Sequence, residues 1–162
     1  MSHAIAKIAY AHNVTLITLS SLPCDSKAVA AVLSALSQHG VNVDMISQTA
    51  PQGGTIRLSF TISDSALADA LAVLAKVRQE NPAILPEILP GNAKIAFSDP
   101  EMVHTPGVAA QVFTVLAQAG IQVMLVTTSE VDISILVSGH ELNDALAVTG
   151  ECFGVSPVET EF

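Results

Sequence analysis

The chain has 162 residues, half of them hydrophobic but only 4% aromatic and with no tryptophan, so its core must be built from small aliphatic side chains. Such a length accommodates one domain or two small ones. Six Lys+Arg against fifteen Asp+Glu give a formal net charge of −9, which opposes docking on phosphate backbones and anionic lipid surfaces, so neither nucleic acid nor membrane is an expected partner.

Cys24 and Cys152 form neither a disulfide framework nor a CxxC motif, which fits a reducing compartment. The sequence has no run of eighteen apolar residues and no charged N-terminal segment leading into an apolar stretch, so a soluble, cytoplasmic protein is expected.

In chain order, Ala4–Tyr10 and Val14–Leu19 read as extended segments. Val29, Val32, Leu33 and Leu36 then follow the i, i+3, i+4, i+7 spacing of one helix face, and Gly40 is placed to close that helix. A strand Val41–Thr49 is expected next, then a turn through Ala50-Pro51-Gln52-Gly53-Gly54. Ile56, Leu58, Phe60 and Ile62 follow, alternating as a half-buried strand. Ser63 and Asp64 offer an N-cap for a second helix carrying Leu67, Ala70 and Leu71. Ile84–Leu89 is the candidate last strand, with Pro86 arguing for an edge position.

The order then repeats. After a strand Lys94–Phe97, the helix positions Ala109, Val112, Phe113 and Leu116 and the closing Gly120 stand 80 residues beyond Val29, Val32, Leu33, Leu36 and Gly40. A strand Ile121–Ser129 keeps the offset of 80. Glu130 then leads straight into Val131, Ile133, Ile135 and Val137, which stand 75 beyond Ile56, Leu58, Phe60 and Ile62, so the second hairpin is five residues tighter. A last helix with Leu142, Ala145 and Leu146 ends near Phe153-Gly154. Either the tail Ser156–Phe162 or Ala4–Tyr10 can supply the final strand. The pattern is α+β: two ferredoxin-like βαββαβ units with antiparallel sheets and helices on one face.

Fold alone does not give function, and most catalytic or binding constellations fail. His3, His12, His39, His104 and His140 are scattered at spacings that suit no metal site. Metal carriage on such a plait needs paired thiolates on the first loop, where only Cys24 stands. RNA binding needs aromatics on the sheet face, and Phe60 and Phe97 read as core in an acidic chain. Gly53-Gly54 joins two strands and opens no helix, so it cradles no phosphate. No nucleophile elbow is present. No cofactor is expected.

Three segments carry a resemblance. Val41-Asn42-Val43-Asp44-Met45-Ile46-Ser47-Gln48, Thr105-Pro106-Gly107-Val108-Ala109-Ala110 and Thr127-Thr128-Ser129-Glu130-Val131-Asp132-Ile133-Ser134, in this order, resemble the regulatory region of aspartate kinases, a pair of ACT domains. The likeness runs from Ile5 to Gly154, with no KFGG-type kinase strand and loop. It implies a regulatory module without catalytic residues, with a first ACT domain at 12–91 and a second at 92–162, the second completed by the N-terminal strand 4–10. It also implies ACT–ACT pairing in a homodimer, an aspartate kinase catalytic domain or subunit as partner, and lysine and/or threonine as feedback effector.

An amino acid needs donors for its carboxylate and acceptors for its ammonium, and a helix N-terminus supplies unpaired N–H groups. The resemblance places effector contacts in the first unit at Asp25, Ala30, Asn42, Val43, Asp44 and Gln48. In the second they fall at Pro106, Gly107, Gln122, Val123, Ser129 and Glu130. The family's loop PDKPGVA is altered here: Cys24 stands where its Asp is expected, Lys27 replaces its Gly, and Met124 replaces an acid in the second unit. A stand-alone ACT sensor or interaction protein unconnected to any kinase is the alternative function, and a small enzyme on the same plait is a third.

Overall fold

The structure is a computed structural model describing residues 5–162. The chain divides into two compact units: an inner one, Asn13–Pro90, and an outer one joining Met1–His12 to Gly91–Phe162. Two long strands serve both, β1 (Lys7–Pro23) and β4 (Leu85–Ser98). Four segments that the sequence presents as separate strands are thus two continuous ones. The chain passes between units at Asn13 on β1 and Gly91 on β4, and both have positive φ, 58° and 76°.

In the inner unit β1 runs into α1 (Ser26–Gln38), β2 (Ile46–Gln48), β3 (Thr55–Ser63) and α2 (Leu67–Glu80), which leads to the first part of β4. The strand order is β2-β3-β1-β4, with β3 antiparallel to both β1 and β2. Pro86 therefore lies on this unit's outermost strand. The core gathers Ile17, Leu19, Val32, Leu36, Leu58, Phe60, Ile62, Val73 and Leu74. Val29 packs against it, half-buried.

The outer unit continues from β4 through α3 (Val108–Gln118), β5 (Leu125–Thr128), β6 (Asp132–Ser138) and α4 (Leu142–Phe153) to β7 (Val158–Glu159). β6 pairs antiparallel with β4 and β5. Ile5 and Ile8 join Ile95, Phe97, Val112, Leu116, Ile135 and Phe153 in its core. The tail enters too, since β7 lies parallel to β1 with Val158 beside Ala9 and Glu159 beside Tyr10. Both candidate final strands therefore belong to this unit; Ala4 lies outside the described residues.

Both first helices end in the same way. Gly40 (φ 72°) donates to Ser37 O and Val41 to Leu36 O; Gly120 (φ 73°) donates to Ala117 O and Ile121 to Leu116 O. These are Schellman caps, which favour glycine because a Cβ disfavours the left-handed conformation.

Several expectations need correction. The strand expected over Val41–Thr49 is regular only at Ile46–Gln48, and that over Ile121–Ser129 only at Leu125–Thr128. On α3, Ala109 and Phe113 are exposed and Val108 is buried in their place. Val112 and Leu116 stay buried as read, so only the edge of the apolar stripe shifts, because a helix of small side chains gives periodicity little contrast to read. Leu33 is only half-buried. Leu71 is exposed, and Val73 and Leu74 carry the buried face of α2. Ser63 caps a 3-10 turn at Asp64–Ala66 rather than α2 itself. Val131 is exposed ahead of β6. Phe60 and Phe97 are fully buried, as read.

Candidate functional site

The residues before β2 and β5 repeat one local device. Asp44 N–H donates to Thr61 O while Thr61 N–H donates to Met45 O, so two consecutive residues face one. In the outer unit Met124 N–H donates to Leu136 O, and Leu125 pairs with Leu136. Each is a bulge, which twists the edge and re-aims a side chain, as strands often do beside binding sites. In the inner unit Met45 N–H is held as well by Thr61 Oγ1 at 3.1 Å. Here the bulge presents an exposed acid, Asp44. In the outer unit the half-buried thioether of Met124 takes that place.

Around the inner bulge Asn42, Asp44 and Gln48 are exposed, while Val43 is half-buried against the core. Gln48 lies opposite Leu58 on β3. Asp25 serves its own loop: as N-cap of α1, its Oδ1 accepts the Lys27 N–H at 2.9 Å. A single oxygen does this, satisfying one of the unpaired donors at the helix start. Ala30 is exposed on the first turns of α1, and Cys24 donates its N–H to Gly54 O at 3.0 Å.

In the outer unit Pro106 and Gly107 are exposed immediately before α3, and Gly107 (φ 92°) is an N-cap that offers no side chain. Gln122 N–H points to Glu141 Oε1 at 3.4 Å. Gln122 and Val123 line a cleft of about 390 Å³ with Phe113, Gly120 and Ile121. Phe113, read as core from its spacing, is instead a wall of this cleft. Ser129 and Glu130 form the exposed hairpin tip, where Ser129 Oγ accepts the Val131 N–H at 3.3 Å. Ser129 is thus placed to shape the turn.

The twelve residues therefore fall into two sets. The inner set concentrates polar side chains along Asn42–Gln48, and the outer set is split between the start of α3, the cleft beside Phe113 and the hairpin tip. Among the described residues no group of three or more His, Cys, Asp or Glu is arranged to hold a metal ion, and no helix is long and apolar enough to cross a membrane.

The ACT domain family model matches residues 25–77 and 95–153, one stretch in each unit. An aspartokinase of Geobacillus stearothermophilus is 34% identical over 160 residues, which is 95% of this chain and 37% of that protein. One from Bacillus sp. (strain MGA3) is 33% identical over 153 residues, 92% of this chain and 36% of that protein. The chain thus spans little more than a third of the length of these relatives. The regulatory subunit of aspartate kinase from Thermus thermophilus, in its ligand-free form, superposes with a TM-score of 0.85 at 28% identity, covering 93% of this chain and 99% of that one. What the chain matches is the regulatory ACT pair, not a catalytic kinase domain. With one matched stretch in each of two units built on the same plan, the chain belongs to the ACT domain family, in the tandem form of aspartate kinase regulatory subunits.

Proposed function

We propose that this chain is the amino-acid-sensing module of an aspartate kinase and that its effector site centres on the inner unit. The observation carrying this reading is the repeated bulge at which an exposed acid, Asp44, appears in one unit only. An effector ammonium needs an anionic acceptor. Asp44 supplies one, and Asn42 and Gln48 add amide donors and acceptors on the same stretch. The entrance of α1, beside Asp25 and Ala30, carries the helix's partial positive charge, which favours a carboxylate, although the Lys27 and Ala28 N–H groups are themselves taken by Asp25. In the outer unit Pro106, Gly107, Gln122, Val123, Ser129 and Glu130 form the second candidate surface.

Lysine and threonine are the effectors proposed, with methionine as the comparison. Asp44 suits a second ammonium, and Asn42 and Gln48 suit a hydroxyl. Control is by linkage: the amino acid binds one arrangement of paired ACT units more tightly and biases a kinase domain or subunit in the cytoplasm, with a coupling of about 1 to 3 kcal/mol. The paired form is a homodimer, running in sedimentation at twice the 16.8 kDa chain mass; a concentration-independent monomer contradicts that pairing.

Calorimetric titration of the chain with lysine, threonine and methionine tests the reading. Heat saturating with lysine or threonine is expected. Silence from all three up to about 10 mM, a concentration at which even an affinity weaker than millimolar is detected, overturns it.

A further inference from the structure

The inner unit has a second concavity, on the opposite sheet face from Gln48. Gln48 and Leu58 lie across from each other, and so, one residue further along in the same register, do Thr49 and Arg57: Thr49 N–H donates to Arg57 O and Arg57 N–H to Thr49 Oγ1, both at 3.0 Å. Alternate residues of a strand face opposite sides. Arg57 and Thr49 therefore stand on the face away from Gln48. They line a cleft of about 420 Å³ with Ser20, Ser21, Gln52 and Thr55.

Four features of this cleft point to an anion. No acidic residue lines it, although the chain has fifteen Asp+Glu against six Lys+Arg. Arg57 brings a guanidinium, whose fork of N–H groups matches a carboxylate or phosphate edge. Thr49 Oγ1 accepts from Arg57 N–H, which leaves its own O–H to donate.

The fourth feature is Ser20. Its Oγ is, among the described residues, the one buried side-chain polar atom with no hydrogen-bond partner. A hydroxyl left in that state costs about 1 to 3 kcal/mol, and such atoms in a native fold call for a partner. It sits where β1 breaks register with β3, between Leu19↔Leu58 and Leu22↔Ile56, and the next residue, Ser21, has φ 59°. Non-glycine residues in the left-handed region are uncommon and cluster at ligand clamps and active sites. The break thus puts two adjacent serines beside the one cation of the cleft.

We propose that this cleft binds a small oxyanion, a carboxylate or a phosphate, held by Arg57 with the hydroxyls of Ser20, Ser21 and Thr49. It is separate from the amino-acid site centred on Asp44 and does not depend on that assignment.

Isothermal titration of the full chain with inorganic phosphate and, separately, with succinate tests it. Saturable binding of one or both is expected; phosphate alone assigns a phosphoryl ligand and succinate alone a carboxylic acid. Arg57→Gln should weaken binding at least about tenfold, as expected for loss of a charge-assisted contact. Lys76→Gln, which removes the same charge from α2, should leave it unchanged. Ser20→Ala should weaken binding without lowering the melting temperature of the anion-free protein, because it deletes a hydroxyl that has no partner. The proposal is overturned if neither anion binds up to about 10 mM, if Arg57→Gln binds as wild type does, if Lys76→Gln costs as much as Arg57→Gln, or if Ser20→Ala destabilises the anion-free fold.

Discussion

Leu36 and Leu116 occupy the same place in the inner and outer units: each is buried in the last turn of its unit's first helix and accepts the final N–H of a glycine-closed cap. Asp44 and Met124 also occupy the same place, at the bulge before an edge strand, yet one is an exposed acid and the other a half-buried thioether. Packing and capping tolerate little variation, because a lost methylene or a strained φ is felt at once. The bulge side chain holds no part of either core, so it is open to differ between copies. Matched substitutions in the two units therefore separate structural from ligand-binding residues.

The largest effect is expected in the cores. Leu36→Ala and Leu116→Ala should each cost about 2 to 5 kcal/mol, read from the midpoint of denaturant unfolding. Similar losses support equivalent roles for the two helices; a loss under about 1 kcal/mol in either would show that its unit does not rely on that contact.

Next come the bulge and its strand. Asp44→Ala and Gln48→Ala should each weaken amino-acid binding by about 1.5 to 3 kcal/mol, roughly ten- to a hundred-and-fifty-fold, with the unfolding midpoint unchanged. Met124→Ala should leave affinity as it was. Should the reverse be measured, the effector site belongs to the outer unit, with Ser129 and Glu130 as the next residues to change.

A smaller effect is expected at the caps. A Cβ at Gly40 or Gly120 meets nothing within 4 Å, so Gly40→Ala and Gly120→Ala should cost only the left-handed strain, about 1 to 2 kcal/mol each. Unequal losses in thermal unfolding would break the equivalence of the two helix ends.

The smallest is at the helix starts, where the units differ. Asp25→Ala removes a side-chain cap and should cost about 1 kcal/mol. The equivalent end of α3 has Gly107 and no such bond. If Asp25→Ala instead abolishes effector binding with little change in stability, Asp25 is an effector ligand rather than a cap.

The sequence by itself determined the repeat, the order of elements and the two glycine-closed helices, because these depend on local periodicity and on the one residue that takes positive φ freely. It also carried the family, through motifs ordered along nearly the whole chain. Which small aliphatic side chain faces inward was decided by tertiary packing. Val112, Leu116 and Ala70 are buried as their spacing implies, but Val108, Val73 and Leu74 are buried where Ala109, Phe113 and Leu71 were expected, since alanine-rich helices offer several apolar faces of similar hydrophobicity and only the facing sheet selects one. The bulges at Asp44 and Met124 depend on pairing with Thr61 and Leu136, residues distant in sequence. The same holds for the cleft at Ser20 and Arg57. Alternation in one strand reveals a face, but a register break exists only between two strands.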